Sequence, residues 1–328
     1  MTFMTPFLRA DAGLTCVENR RSCSPPVSPV EGKDLAKRIE LGRLLFFDTR
    51  LSADDTVSCA SCHNPRFAFT DGVRVSEGIG GQEGNRNSPT VINSSLSTAQ
   101  FWDGRAATLE EQALGPLTNP IEMGNPSLDA VVERLRQITG YRELFEKVFH
   151  THSMTIDQVA DAIASFERTV VSENSAFDRF RAGEKAALTR RQERGMTLFF
   201  GKARCHNCHS EPTFADGRFH NLGAGMKEFK ADPGRSEITK ETADMGKFKT
   251  PSLREIAATA PYMHDGSLKS LEEVIDFYDA GGNPNPNINP RLKALGLTPE
   301  EKVDLVAFLH SLSGEGWRCI SAPREFPQ

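Results

Sequence analysis

At 328 residues, 38% of them hydrophobic and 25% charged, the chain is long enough for two domains with buried cores, and disordered and fibrous classes are excluded. A formal net charge of -5 gives no electrostatic footprint for nucleic acid, and no basic run marks a membrane surface. No apolar run is long enough to span a bilayer.

Residues 1–33, rich in Pro, Ser and Arg, read as a surface-lying lead-in that lacks both the basic and the continuous apolar parts of an intact secretory signal. Helical periodicity begins at Leu35, and Ile39-Glu40-Leu41-Gly42-Arg43-Leu44-Leu45-Phe46-Phe47 leads to Cys59-Ala60-Ser61-Cys62-His63. The order returns later: Gln192-Glu193-Arg194-Gly195-Met196-Thr197-Leu198-Phe199-Phe200 precedes Cys205-His206-Asn207-Cys208-His209. Such an internal repeat argues for two similar domains, each phenylalanine pair walling its own site.

Two cysteines separated by two residues each add across a haem vinyl group, and a histidine beside the second becomes the proximal iron ligand. Zinc sites also use such cysteine pairs but have no need of that histidine, which here follows both times. Two covalent c-type haems are expected, held by Cys59, Cys62 and His63 and by Cys205, Cys208 and His209. Haem attachment of this kind takes place outside the cytoplasm, so an exported, periplasmic protein is expected, its signal removed or lying upstream. Of seven cysteines, Cys16, Cys23 and Cys319 remain. Cys16 with Cys23 could close a small disulfide loop, leaving one thiol over.

Between Asn64 and Gly124 helical periodicity is poor and Gly, Asn, Ser and Pro are frequent, which predicts long loops covering a functional face. Ser127 caps a helix with Leu128, Val131, Val132 and Leu135 on one side, ended near Gly140, and Thr155 with Gln158 forms a capping box before Ile156, Val159 and Ile163. A charged stretch, Arg179 to Arg194, joins the halves, with the division placed near Gly183: lead-in 1–33, first domain 34–183, second domain 184–328. Loops from Ser210 to Gly266 precede a helix from Leu271 to Tyr278. Three Asn-Pro steps then rule out helix or central strand between Gly281 and Pro290, and Thr298, Pro299 and Glu301 open a last helix stopped by Gly314. No strand-rich segment occurs, so the fold class is mainly α, two cytochrome c-like domains connected by long loops.

The stretch Gln100-Phe101-Trp102-Asp103-Gly104-Arg105-Ala106, followed by Leu109, Glu110, Gln112 and Gly115-Pro116 and by Asn119-Pro120-Ile121-Glu122-Met123, resembles the bacterial di-haem cytochrome c peroxidase and MauG superfamily. Arg86-Asn87-Ser88-Pro89-Thr90 and Ala260-Pro261-Tyr262-Met263-His264-Asp265-Gly266 extend the likeness over nearly all of Leu35 to Leu312. The resemblance implies that hydrogen peroxide reacts at the first haem, with Glu122 as the acid/base that O–O cleavage requires and Gln112 positioning peroxide or water. It places Trp102 between the haems as a relay for an electron hole. It also implies a calcium ion between the domains, bound by the side chain of Asn87 and the carbonyls of Thr259 and Pro261.

Two departures set the subfamily. Peroxidases that need reductive activation carry a second histidine ligand in a glycine-rich loop that here reads Ser76-Glu77-Gly78-Ile79-Gly80-Gly81, and isoleucine cannot bind iron. Where typical peroxidases place a methionine opposite the second proximal histidine, Tyr278 falls, as in MauG; Met226, Met245 and Met263 are the other candidate ligands. An anionic phenolate favours higher oxidation states. His264 reads as a pocket residue, while His150, His152, His220 and His310 receive no role. The resemblance thus implies a high-valent di-haem state that oxidises tryptophan or tyrosine residues of a partner protein at a distance. Ala203, where MauG has a tryptophan, points to a different partner or exit route. The other readings are a peroxidase fed by a small cytochrome or copper protein, and a non-catalytic di-haem electron carrier.

Overall fold

The computed structural model describes residues 34–226 and 232–328; the lead-in with Cys16 and Cys23 lies outside them. The fold is mainly helical, with helices α1 (Leu35–Phe47), α2 (Cys59–Cys62), α3 (Leu109–Thr118), α4 (Leu128–Gln137), α5 (Thr139–Phe149), α6 (Ile156–Glu167), α7 (Ala176–Arg181), α8 (Arg190–Phe200), α9 (Ser236–Thr239), α10 (Leu271–Asp279) and α11 (Pro299–His310). Strands among the described residues are two residues long: β1 (Ser172–Glu173) pairs antiparallel with β4 (Glu315–Gly316), and β2 (Phe219–His220) with β3 (Phe248–Lys249).

Caps begin the helices where the sequence places them. Ser127 Oγ accepts from the Ala130 N–H ahead of α4, and the Thr155/Gln158, Thr189/Gln192 and Thr298/Glu301 boxes open α6, α8 and α11. Two of the longer helices escape the sequence reading. α3 forms inside the stretch expected to be loop, because Thr108 caps it and Glu110 and Glu111 sit in its first turn. Pro116 removes only one hydrogen-bond donor near its end. α5 runs through Gly140, where the preceding helix was expected to end; the break comes at the extended residue Ile138.

Both halves are built on the same crossing of two helices. α1 meets α6 so closely that a Cβ on Gly42 would lie 1.8 Å from the Ala162 carbonyl oxygen and 2.9 Å from Phe166 Cβ; in α8 against α11, Gly195 would meet Asp304 at 1.9 Å and Phe308 Cβ at 2.8 Å. The aromatic packing repeats as well. Phe46 lies 5.1 Å from Phe166 and 6.2 Å from Phe69, and Phe199 lies 5.0 Å from Phe308 and 5.9 Å from Phe214.

The two hydrophobic cores interleave near the β1–β4 ladder. Phe177, on α7, packs in the second core against Phe214 and Phe308, while Trp317, far along the second half, is buried in the first core against Phe69. The ladder sets the segment before α7 beside the one that leads to Trp317, and Arg50 and Arg43 anchor the returning tail through the Pro327 and Ser321 carbonyls. No helix among the described residues is long and apolar enough to cross a membrane.

Candidate active site

Each Cys-x-x-Cys-His segment is a short helical turn at the foot of its crossing. Cys59, Cys62, Cys205 and Cys208 form no disulfide. Burial pushes all four thiols up, Cys62 to about 11 and Cys205 to about 12, so none is a thiolate at neutral pH. The histidines are held alike. His63 Nδ1–H donates to the Phe69 carbonyl at 3.2 Å and His209 Nδ1–H to the Phe214 carbonyl at 2.8 Å. Both phenylalanines adopt positive φ, 58° and 55°, which aims those carbonyls. Burial pulls both imidazoles down, so each is neutral and offers Nε2 as its free ligand atom.

Among the described residues no cluster of three potential metal-ligating side chains surrounds the first cysteine pair. At the second, Cys208, Asp216 and His220 have ligand atoms within 4.8 Å of one another. His220 is already committed, its Nε2–H donating to Asp216 at 2.7 Å and its Nδ1 accepting from Asn289 at 2.7 Å. Neutral thiols and committed partners do not make a tetrahedral zinc site.

Glu122 sits in the turn after α3, partly buried, its Oε1 accepting from Asn119 Nδ2 at 2.8 Å. Burial pushes its carboxyl up, and Arg105 and Asn119 draw it back. Its charge is felt by both Cys59 and Cys62, which places it at the first site. Ile79 packs directly on this turn: its N–H donates to the Glu122 carbonyl at 3.0 Å, and its Cδ1 would lie 2.0 Å from a Cβ on Gly124. The loop holding Ile79 can come this near because Gly78 has no side chain; a Cβ there would meet the Ile121 oxygen at 1.8 Å. Gln112, on α3, is partly buried and its side-chain amide makes no hydrogen bond among the described residues.

The second motif opens onto a cavity of about 460 Å³ lined by Cys205, Cys208, His209, Phe199, Tyr278 and Trp102. Burial, then the neighbouring Cys205 and Cys208, raise the Tyr278 phenol well above its usual range. Met263 also lines this cavity, whereas Met226 and Met245 do not, Met245 being largely exposed. Trp102 donates Nε1–H to the Asn87 carbonyl at 2.8 Å, so the tryptophan is tied to a loop of the first half whose Asn87 N–H donates to the His264 carbonyl at 2.7 Å. Asn87 spends its Nδ2 on the Val73 and Arg74 carbonyls and shares the cavity wall with Thr259 and Pro261, whose carbonyls accept no backbone hydrogen bond among the described residues. Arg86 adds ion pairs to Asp103 at 2.6 Å and Asp232 at 2.7 Å across the same seam.

A family model described as di-haem cytochrome c peroxidase matches residues 36–186. The methylamine utilization protein MauG of Methylorubrum extorquens is 43% identical over 282 residues, 85% of this chain and 79% of that protein. The chain belongs to the di-haem cytochrome c peroxidase and MauG family. The cytochrome c551 peroxidase of Nitrosomonas europaea is 38% identical over 299 residues, 90% of this chain and 86% of that protein. The crystal structure of a MauG-like protein associated with microbial copper homeostasis has a TM-score of 0.81 at 36% identity and covers 92% of this chain and 97% of that one. The chain is accordingly a hydrogen peroxide-dependent oxidoreductase of the di-haem type.

The residues fit the two haems that this family implies: paired neutral thiols, a neutral imidazole with Nε2 free, and apolar walls, all of it twice. His264, read from the sequence as a pocket residue, lines the second cavity; it is buried, stacks on Phe248 at 3.6 Å and is pulled by burial to about 4, so it stays neutral. Two features escaped the sequence reading. His220 lines the same cavity in a bonded set with Asp216 and Asn289. Glu167 is a buried acid with Oε2 unbonded, close enough to Cys59 for its charge to be felt there. Single side chains carry no local signal of such surroundings.

Proposed function

We propose that the chain, exported to the periplasm, reacts with hydrogen peroxide at the first site, shares the two oxidising equivalents with the second, and oxidises tryptophan or tyrosine residues of a separate protein in the manner of MauG. The observation that carries this reading is Tyr278 lining one cavity with His209, since a phenolate ligand favours higher oxidation states where a thioether favours ferrous iron. Covalent haem, bound through the two cysteine pairs, would supply the iron that takes up the two oxidising equivalents of peroxide.

The chain's own residues do the rest. Glu122, poised between burial and the pull of Arg105, takes the proton from the inner peroxide oxygen and returns it to the outer one as water leaves. Gln112 positions peroxide, and Ile79, which offers no ligand atom, leaves the open face accessible without prior reduction. Trp102 relays the hole between the sites. Asn87, Thr259 and Pro261 hold a calcium ion through hard oxygen atoms. With Ala203 lining the second cavity where MauG has a tryptophan, that position would pass no hole to a partner, and the route outward would differ from that of MauG. The second reading, a peroxidase taking electrons from a small cytochrome or copper protein, draws support from the comparable identity to the Nitrosomonas enzyme, 38% against 43%.

One equivalent of peroxide added to the fully oxidised, haem-loaded protein without reductant separates the two. Prompt loss of the ferric bands with a new near-infrared band shared by both haems is expected. In Glu122→Gln the reaction slows by roughly 10²- to 10⁴-fold with both haems retained. No reaction until one haem has been reduced overturns the MauG-like reading, and fast turnover with a reduced cytochrome supports the second.

A further inference from the structure

The second cavity contains a cation that this chemistry does not use. Lys249 lies on β3, where its backbone N–H donates to the Trp102 carbonyl at 2.8 Å, and it lines the cavity with His209 and Tyr278. It is partly buried, and its ammonium has no ion pair, hydrogen bond or aromatic face among the described residues. Loss of water alone draws it down to about 8, with no nearby charge contributing. The other cations of the wall, Arg204, Arg291 and Lys293, are exposed and solvated.

Elsewhere the fold pairs the cations that it draws inward: Arg86 with Asp103 and Asp232, Arg254 with Asp178. A desolvated ammonium without a counter-ion is destabilising, so a site that keeps one is suited to an anion. The acid nearest the second motif cannot serve, because Asp216 is engaged by His220 and by the Arg218 N–H at 2.9 Å. The group expected in this cavity brings its own anions, the two propionate carboxylates of haem.

We propose that Lys249 is a cofactor-binding residue of the second site, its ammonium pairing with a propionate carboxylate of the haem carried by Cys205 and Cys208, immediately beside Trp102. This rests on the reading of the second cavity as a haem site. The pair sets which haem edge faces Trp102, and it places a positive charge that favours the reduced iron.

The test compares Lys249→Met and Lys249→Arg with the wild-type holoprotein. Haem at each motif is counted by mass spectrometry, the two haems are titrated by spectroelectrochemistry at pH 7, and the propionate bending bands are read by resonance Raman. Lys249→Met is expected to raise the oxidised-to-reduced ratio of the His209 haem about tenfold at a fixed electrode potential, the order for one charge removed within a haem's width. It should also shift one propionate band and leave the His63 haem unchanged, while Lys249→Arg preserves both properties. If Lys249→Met takes up no haem at Cys205 and Cys208 but Lys249→Arg does, the charge requirement is again supported. A wild-type potential and Raman spectrum in Lys249→Met, or loss of haem from both variants, overturns the proposal. Absence of haem at the second motif in the wild type sinks instead the underlying reading of the cavity.

Discussion

Glu167 and Leu309 occupy equivalent places in the two halves, one residue after the phenylalanines, Phe166 and Phe308, that pack against Gly42 and Gly195. Leu309 lines the second cavity; Glu167 is 5% exposed at the first. Burial pushes the Glu167 carboxyl from 4.5 to about 8, Arg168 drawing it back and Glu110 pushing it further. Its folded pKa therefore lies above its unfolded one, and its contribution to stability is most favourable below about 4.5 and is lost as pH rises towards 8. At pH 7 protonating it on folding costs about 3 kcal/mol. Glu167→Leu should raise the unfolding free energy by about that amount at pH 7 and by much less at pH 4.5, measured by denaturant unfolding at both. Equal gains at the two pH values would assign the effect to apolar packing instead. Glu122 became a candidate through the family resemblance that Asn119-Pro120-Ile121-Glu122-Met123 carries, since by itself a glutamate after Asn-Pro reads as a loop charge; Glu167, at the end of an amphipathic helix, looked like any helical acid.

At the scale of elements, the repeated glycine of α1 and α8 was visible as part of a repeated pattern, but the reason for it was not. It is the crossing itself: neither Gly42 nor Gly195 leaves room for a methyl group against the backbone of the partner helix. Gly195→Ala should destabilise the protein by about 3 kcal/mol, the upper end for overpacking, since backbone rather than a flexible side chain must move. Thermal unfolding of the holoprotein would check it; an unchanged midpoint would mean that the helices slide apart freely. α3 hid in the sequence because Gly115 and Pro116 weaken helical periodicity, and its cap at Thr108 and acidic first turn outweigh them.

Across the whole molecule, the exchange of Phe177 and Trp317 between the cores ties the two sites into one body. Trp317 rests against Phe69, whose carbonyl holds His63, so the end of the chain braces the proximal side of the first site. Trp317→Ala should cost roughly 3–5 kcal/mol. Hydrogen exchange would locate the loss in residues 34–170; confinement to the second half would contradict the interleaved cores.

The sequence by itself determined the two attachment motifs, the helical class, the caps and the repeat, because each is written in residues a few positions apart and follows from covalent spacing and helical period. Its resemblance to a known family also supplied Ile79, Glu122, Trp102 and Tyr278 as candidates. Only the tertiary structure brought Ile79 onto the Glu122 turn, Tyr278 into one cavity with His209, Lys249 beside Trp102 and Trp317 behind Phe69. Those meetings join residues far apart in the chain. They are decided by how the helix crossings and the short ladders close, and burial then sets which of these groups carry charge.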